Sequence, residues 1–154
     1  MHNKVFNPEN IKILGWNLAL EQISSPHNFD SSQIAYHGFH ADMELDINPD
    51  DDVLKVSLRI EVITESEDHN LEEAQAVFQF IYYIRLEDIS AYTLSREEDK
   101  IVLHSDPGNY IAALTYSTSR GILLSRVLGT ALKDFILPVI DTDVLLSGTL
   151  NDNA

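Results

Sequence analysis

Two alternating runs on either side of one turn constrain this chain more than any other feature. Asn48-Pro49-Asp50-Asp51-Asp52 reads as a turn by composition. After it, Leu54, Val56, Leu58, Ile60 and Val62 alternate with Lys55, Ser57, Arg59 and Glu61. That period of two marks a half-buried strand over about Val53 to Thr64. Before the turn, a second run extends from about Ile34 to Ile47. Folding the two runs so that Asp46 faces Lys55 brings Asp42 opposite Arg59 and His40 opposite Glu61. The other face then pairs Leu45 with Val56, Met43 with Leu58, Ala41 with Ile60 and Phe39 with Val62. Each good cross-strand pair is worth roughly 0.2–1 kcal/mol. A slip of one residue would turn every side chain to the wrong face. The pattern therefore predicts an antiparallel hairpin in one register.

Two more strands flank it. Over about Ile13 to Ile23, Trp16, Leu18 and Leu20 alternate with Asn17, Ala19 and Glu21. Ser24, Ser25 and Pro26 then break the run. Over about Ala74 to Leu86, Ala76, Phe78, Phe80, Tyr82, Ile84 and Leu86 form an unbroken apolar face. The opposite face mixes Val77, Ile81 and Tyr83 with Gln75, Gln79 and Arg85, so both sides call for some cover. Glu65 to Glu73 is a polar, acidic loop. Glu87 to His104 reads as an extended connection, charged from Arg96 to Lys100.

A long helix follows. Asp106 can cap free amides and Pro107 suits the first helical position. Gly129 is the expected stop after about Leu128. Only Arg120 and Arg126 are charged between Pro107 and Leu128. Tyr110, Ala113, Leu114, Ser117, Gly121, Leu124 and Leu128 form one stripe. Ile111, Thr115, Ile122, Leu123 and Val127 form another. A helix apolar on two sides is buried on two sides. With the sheet covering one stripe, a subunit interface is the expected cover for Ile111, Thr115, Ile122, Leu123 and Val127. Strands followed by a long helix give an α+β fold with a four-stranded antiparallel sheet.

Composition narrows the chemistry. The chain has 154 residues, enough for one domain, and no cysteine, which removes disulfides, thiolate metal sites and cysteine nucleophiles. Its net charge of -15 repels phosphate backbones, so nucleic acid is not an expected partner. Met1 to Pro8 lacks a signal-peptide pattern, and no apolar run has the roughly 18 residues of a membrane span. A cytoplasmic protein without membrane insertion is the expectation. His37 and His40, three apart on a strand, point to opposite faces and cannot share a metal. His2, His27, His69 and His104 show no ligand spacing. Asp50-Asp51-Asp52 lacks the glycine and terminal glutamate of a calcium loop. Ser119-Arg120-Gly121 and Ser147-Gly148 are not nucleophile elbows, and no glycine-rich phosphate loop is present. No enzyme, no cofactor and no metal are expected.

The last quarter of the chain carries a family likeness. Tyr116, Arg120, Gly129, Phe135, Leu137, Pro138-Val139, Asp143 and Leu146 stand in the order and approximate spacing seen in the SecB export-chaperone family. Element order resembles that family over about Ile11 to Ser147. Residues 1–10 then read as a flexible lead and 148–154 as a short tail. The family's short helix after the fourth strand is not evident, and its longer carboxyl-terminal extension has no counterpart before Ala154. The resemblance implies a homotetramer built as a dimer of dimers, acting without ATP as a holdase. Unfolded or non-native client polypeptides are the implied partners, with SecA or an antitoxin beside them.

Candidate site residues follow. Val77, Ile81 and Tyr83 on the less buried face of the fourth strand, with Ile89, Tyr92 and Leu94 in the connection, are expected to line a client groove. Asp42, Glu44 and Asp46 share a face of the second strand and are expected to form an acidic docking strip. A dedicated adapter for one folded partner, and a small-molecule-binding or enzymatic α+β domain, are the alternatives.

Overall fold

The computed structural model describes residues 5–97, 100–147 and 150–153. The hairpin is β2 (Ile34–Asn48) with β3 (Val53–Ser66). All the pairs named above occur in it, from Asp46 opposite Lys55 to Phe39 opposite Val62. Asp52 closes the turn with a left-handed φ of 54°. Its backbone carbonyl accepts the Leu86 N–H at 3.0 Å. β1 (Ile11–Ser24) and β4 (Gln75–Leu86) complete the antiparallel sheet on the other side of β3, in the order β1-β4-β3-β2.

The apolar face of β4 is buried throughout, as are Leu54, Val56, Leu58, Ile60 and Val62 beside it. Over this face lies α1 (Ser105–Arg126). Tyr82 Oη and Ser119 Oγ meet at 2.7 Å and tie helix to sheet in the core. Gly129 takes φ +77°, the left-handed conformation that ends helices. At the other end His104, not Asp106, precedes the helix, and it makes no side-chain cap bond. Asp106 instead sits inside the first turn, where its charge favours the positive end of the helix.

Three elements depart from the expected pattern. β1 carries irregularities between Ile13 and Gly15 and between Leu18 and Leu20. The second inserts Ala19, so Trp16 and Leu18 stand opposite Tyr82 and Phe80 while Leu20 stands opposite Gln79. Leu20 therefore turns to the outer face, the flip that one extra residue enforces. The connection after β4 is not extended. It makes a 3-10 turn over Ile89–Tyr92, then a hairpin of β5 (Thr93–Glu97) and β6 (Lys100–Leu103). After α1, a short helix α2 (Thr142–Ser147) lies against β2, and β7 (Leu150–Asn153) adds a fifth strand to the sheet at β2. Within the expected lead, Pro8–Asn10 forms a 3-10 turn and Met1 to Lys4 lie outside the described residues. Of the expected tail, Gly148, Thr149 and Ala154 lie outside them.

His37 and His40 face opposite sides of the sheet. His37 stands opposite Thr64 on the helix side and its ring lies 5.5 Å from that of Phe135. Burial pushes its pKa down, against the opposing charge of Asp134. His40 stands opposite Glu61 on the outer face.

Candidate functional site

Beyond Ala41, where the pairing with β7 ends, the helix-side residues of β2 meet the connection hairpin. Met43, Leu45 and Ile47 alternate along β2 and are only partly buried. Ile101, Val102 and Leu103 of β6 face them across a groove of about 200 Å³. The first turn of α1, at Ser105 and Gly108, and Leu146 of α2 close the ends. Val102 is 52% exposed, so the apolar lining opens to solvent. Gly108 is buried, and a Cβ there would lie 3.7 Å from Leu146 Cδ1, at ordinary contact distance. The groove has no cluster of ionisable groups. Among the described residues no group of three or more His, Asp and Glu side chains could hold a metal. Such a lining is mainly apolar with few fixed polar contacts, and that chemistry suits the side chains of an extended apolar segment better than a small polar ligand.

Two side chains of α1 fix the segment that leads to the groove. Tyr116 Oη donates to the Pro138 carbonyl oxygen at 2.7 Å. Arg120 Nε donates to the Leu137 carbonyl oxygen at 2.6 Å. Burial pushes the Tyr116 pKa far up, with the neighbouring Arg120 charge opposing, so its hydroxyl stays a donor. The clasp holds the 137–138 stretch on the helix, and α2 follows it with Leu145 in the core and Leu146 in the groove wall.

No protein-family model matches the sequence, and no curated protein matches it. Among solved structures the chain resembles Mycobacterium tuberculosis Rv1957, a SecB-like chaperone seen in complex with a ChAD peptide from the Rv1956 HigA1 antitoxin. The TM-score is 0.61, over 86% of this chain and 91% of that one. The fold is SecB-like. Identity is 14%, so the likeness lies in the path of the backbone.

The SecB-like fold separates residues that the sequence pattern grouped. Ile89 and Tyr92 are 0% and 3% exposed, so they are core and do not line a groove. The reason is the tight turn after β4: Asp88 takes φ 58°, and Asp52 Oδ1 accepts the Ile89 N–H at 3.0 Å. The ring of Phe6 then meets Tyr92 edge-on at 5.9 Å. Leu94 is exposed on β5. Val77, Ile81 and Tyr83 lie on the outer face, opposite Glu61, Ser57 and Lys55, away from the groove. Val77 shares a hollow there of about 410 Å³ with Gly38, His40, Glu61, Ile63 and Gln75.

The helix stripes are exchanged relative to expectation. Ile111, Thr115, Leu123 and Val127 are all 0% exposed and Ile122 is partly buried, so this stripe faces the chain's own core. The other stripe is open, with Tyr110, Leu124 and Leu128 exposed. Ile13 and Trp16 of β1 are exposed too, on the helix side of the sheet. Asp42, Glu44 and Asp46 do share the outer face of β2, opposite Arg59, Ser57 and Lys55. The close ion contacts there run along each strand, Arg59 to Glu61 at 3.0 Å and His40 to Asp42 at 3.6 Å. Sequence reasoning missed the β6 side of the groove. Its one signal was Ile101-Val102-Leu103, an apolar island between Lys100 and His104.

Proposed function

We propose that the protein is an ATP-independent chaperone that holds extended segments of non-native polypeptides in the groove between β2, β6 and the helices. The solvent-open apolar groove of Met43, Leu45, Ile47, Ile101, Val102 and Leu146 carries this reading. An unfolded client exposes apolar and aromatic side chains, and an apolar lining without fixed polar partners accepts many sequences. The peptide bound to the M. tuberculosis neighbour supports the same use of the fold. The net charge of -15 keeps a loaded complex soluble. The exposed stripe of α1 is assigned to contact between subunits, with a tetramer as its expected outcome. The acidic strip of Asp42, Glu44 and Asp46 is assigned to a basic partner, of the kind SecA represents, in the cytoplasm.

Aggregation of a chemically denatured protein on dilution tests this function. The wild-type chain should suppress the light scattering without nucleotide. Val102→Asp places a charge in the exposed wall, and Gly108→Leu fills the groove from the end that α1 closes. Both should lower protection while circular dichroism stays unchanged. Full protection by both folded variants would remove the groove from the function.

A further inference from the structure

The two edges of the sheet differ in how they are covered. On the side away from β3, β2 pairs with Leu150–Asn153 only from Gly38 to Ala41. Among the described residues no strand pairs with that side of β2 from Asp42 to Asn48. An uncovered strand edge presents backbone N–H and C=O groups and is a template for another strand. This stretch also borders the groove, because Met43, Leu45 and Ile47 belong to both.

Alternation fixes what such a template accepts. A strand added there presents its side chains by turns to the two faces of the sheet. On the helix side they meet Met43, Leu45, Ile47 and Leu146. On the outer side they meet Asp42, Glu44 and Asp46. We propose that the open edge of β2 takes an extended peptide as an added antiparallel strand, its apolar residues alternating with lysine or arginine, and that β7 is the chain's own occupant of the same edge. The inference rests on the groove reading and deepens it. It makes backbone pairing the grip and the alternating apolar and basic pattern the recognised feature. It also sets a length. A segment of about six residues fits the open stretch. A longer one meets the chain at Leu150, which pairs with Ala41, and has to displace β7.

Fluorescence anisotropy with labelled peptides of about twelve residues tests the proposal. One peptide alternates leucine with lysine, and its isomer has the same residues in two blocks. Each is titrated with the full chain and with a chain ending at Ser147. The alternating peptide should bind roughly tenfold more tightly than the isomer. Truncation should tighten it by about two- to tenfold, the effect of removing a strand that covers the edge for half to nine-tenths of the time. Hydrogen exchange should slow between Asp42 and Asn48 when the peptide binds, and quicken at Leu150–Asn153 in the full chain. Where the truncated chain fails to fold, Asn151→Pro in the full chain takes its place, since proline removes a ladder donor. Equal binding of the two isomers, or unchanged exchange in β2, overturns the inference and leaves the groove reading standing if denatured protein is still held. Failure to hold either peptide or denatured protein overturns both.

Discussion

Leu123 and Leu124 are neighbours on α1, yet they answer to different terms of the free energy. Leu123 is 0% exposed and Leu124 is 43% exposed. Leu123→Ala removes methyl groups from the closed cluster that holds Val127, Leu132 and the apolar face of β4. The cost is the lost transfer free energy plus the cavity left behind, about 2–5 kcal/mol for buried leucines. The sheet below is rigid, so the site collapses little and the upper half of that range applies, about 3–5 kcal/mol. At about 2–4 °C per kcal/mol for a chain of this length, the midpoint falls by roughly 6–20 °C. Leu124→Glu leaves the core intact and places a charge on the open stripe. It should cost stability within about 1 kcal/mol in the monomer. Thermal unfolding followed by circular dichroism reads the first effect, and light scattering reads the mass of the species in solution, both at one protein concentration. Leu123→Ala should lower the midpoint without changing the mass of the folded species, and Leu124→Glu should lower the mass. A Leu123→Ala chain that keeps its midpoint and loses its partners would refute the assignment of faces.

Tyr116→Phe removes the donor to the Pro138 carbonyl and leaves that acceptor unpaired; it should lower stability by about 1–3 kcal/mol in urea melts, with native circular dichroism. Glu73 reports on acid. Burial raises its pKa, but bonds from the Thr64 hydroxyl and from the Ser66 amide and hydroxyl outweigh that and hold it below its ordinary 4.5. Its contribution is therefore complete above 4.5 and is lost as pH falls through the lower folded value. The stability difference between wild type and Glu73→Gln should shrink in that window, as measured by urea midpoints across acid pH.

The hairpin was legible because two independent patterns, charge and apolarity, agreed on one register. Asp46 opposite Lys55 and Leu45 opposite Val56 are the same statement made on two faces. The buried face of β4 was legible for a simpler reason: six consecutive alternate positions are apolar. The helix and its stop at Gly129 were legible, but its orientation was not. Both stripes are apolar, so periodicity alone gives no sign of which one meets the sheet. The available signal was the small residues Ala113, Ser117 and Gly121, which lie between the large ones of the open stripe and have no counterpart among Ile111, Thr115, Ile122, Leu123 and Val127. Ile89 and Tyr92 misled because the turn that buries them depends on Asp88 in a left-handed conformation, a geometry that aspartate adopts only occasionally. The groove was illegible for another reason. Met43 and Leu45 were read correctly as the apolar face of the hairpin, but what lies over them comes from residues about sixty positions further along the chain. The acidic strip followed from alternation alone.

The clasp of Tyr116 and Arg120 also sets an order of events as the chain folds. Leu137 and Pro138 take their hydrogen-bond donors from side chains that share one face of α1. That face exists only once the helix has formed, so the 137–138 stretch has no matching pair of donors in a disordered chain. Its docking is then a nearby closure, inexpensive in loop entropy and quick beside the pairing of β1 with the distant β4. The groove wall at Leu146 lies beyond the clasp, so it assembles after the helix. In a nascent chain the Leu146 wall of the groove therefore follows the helix and never precedes it.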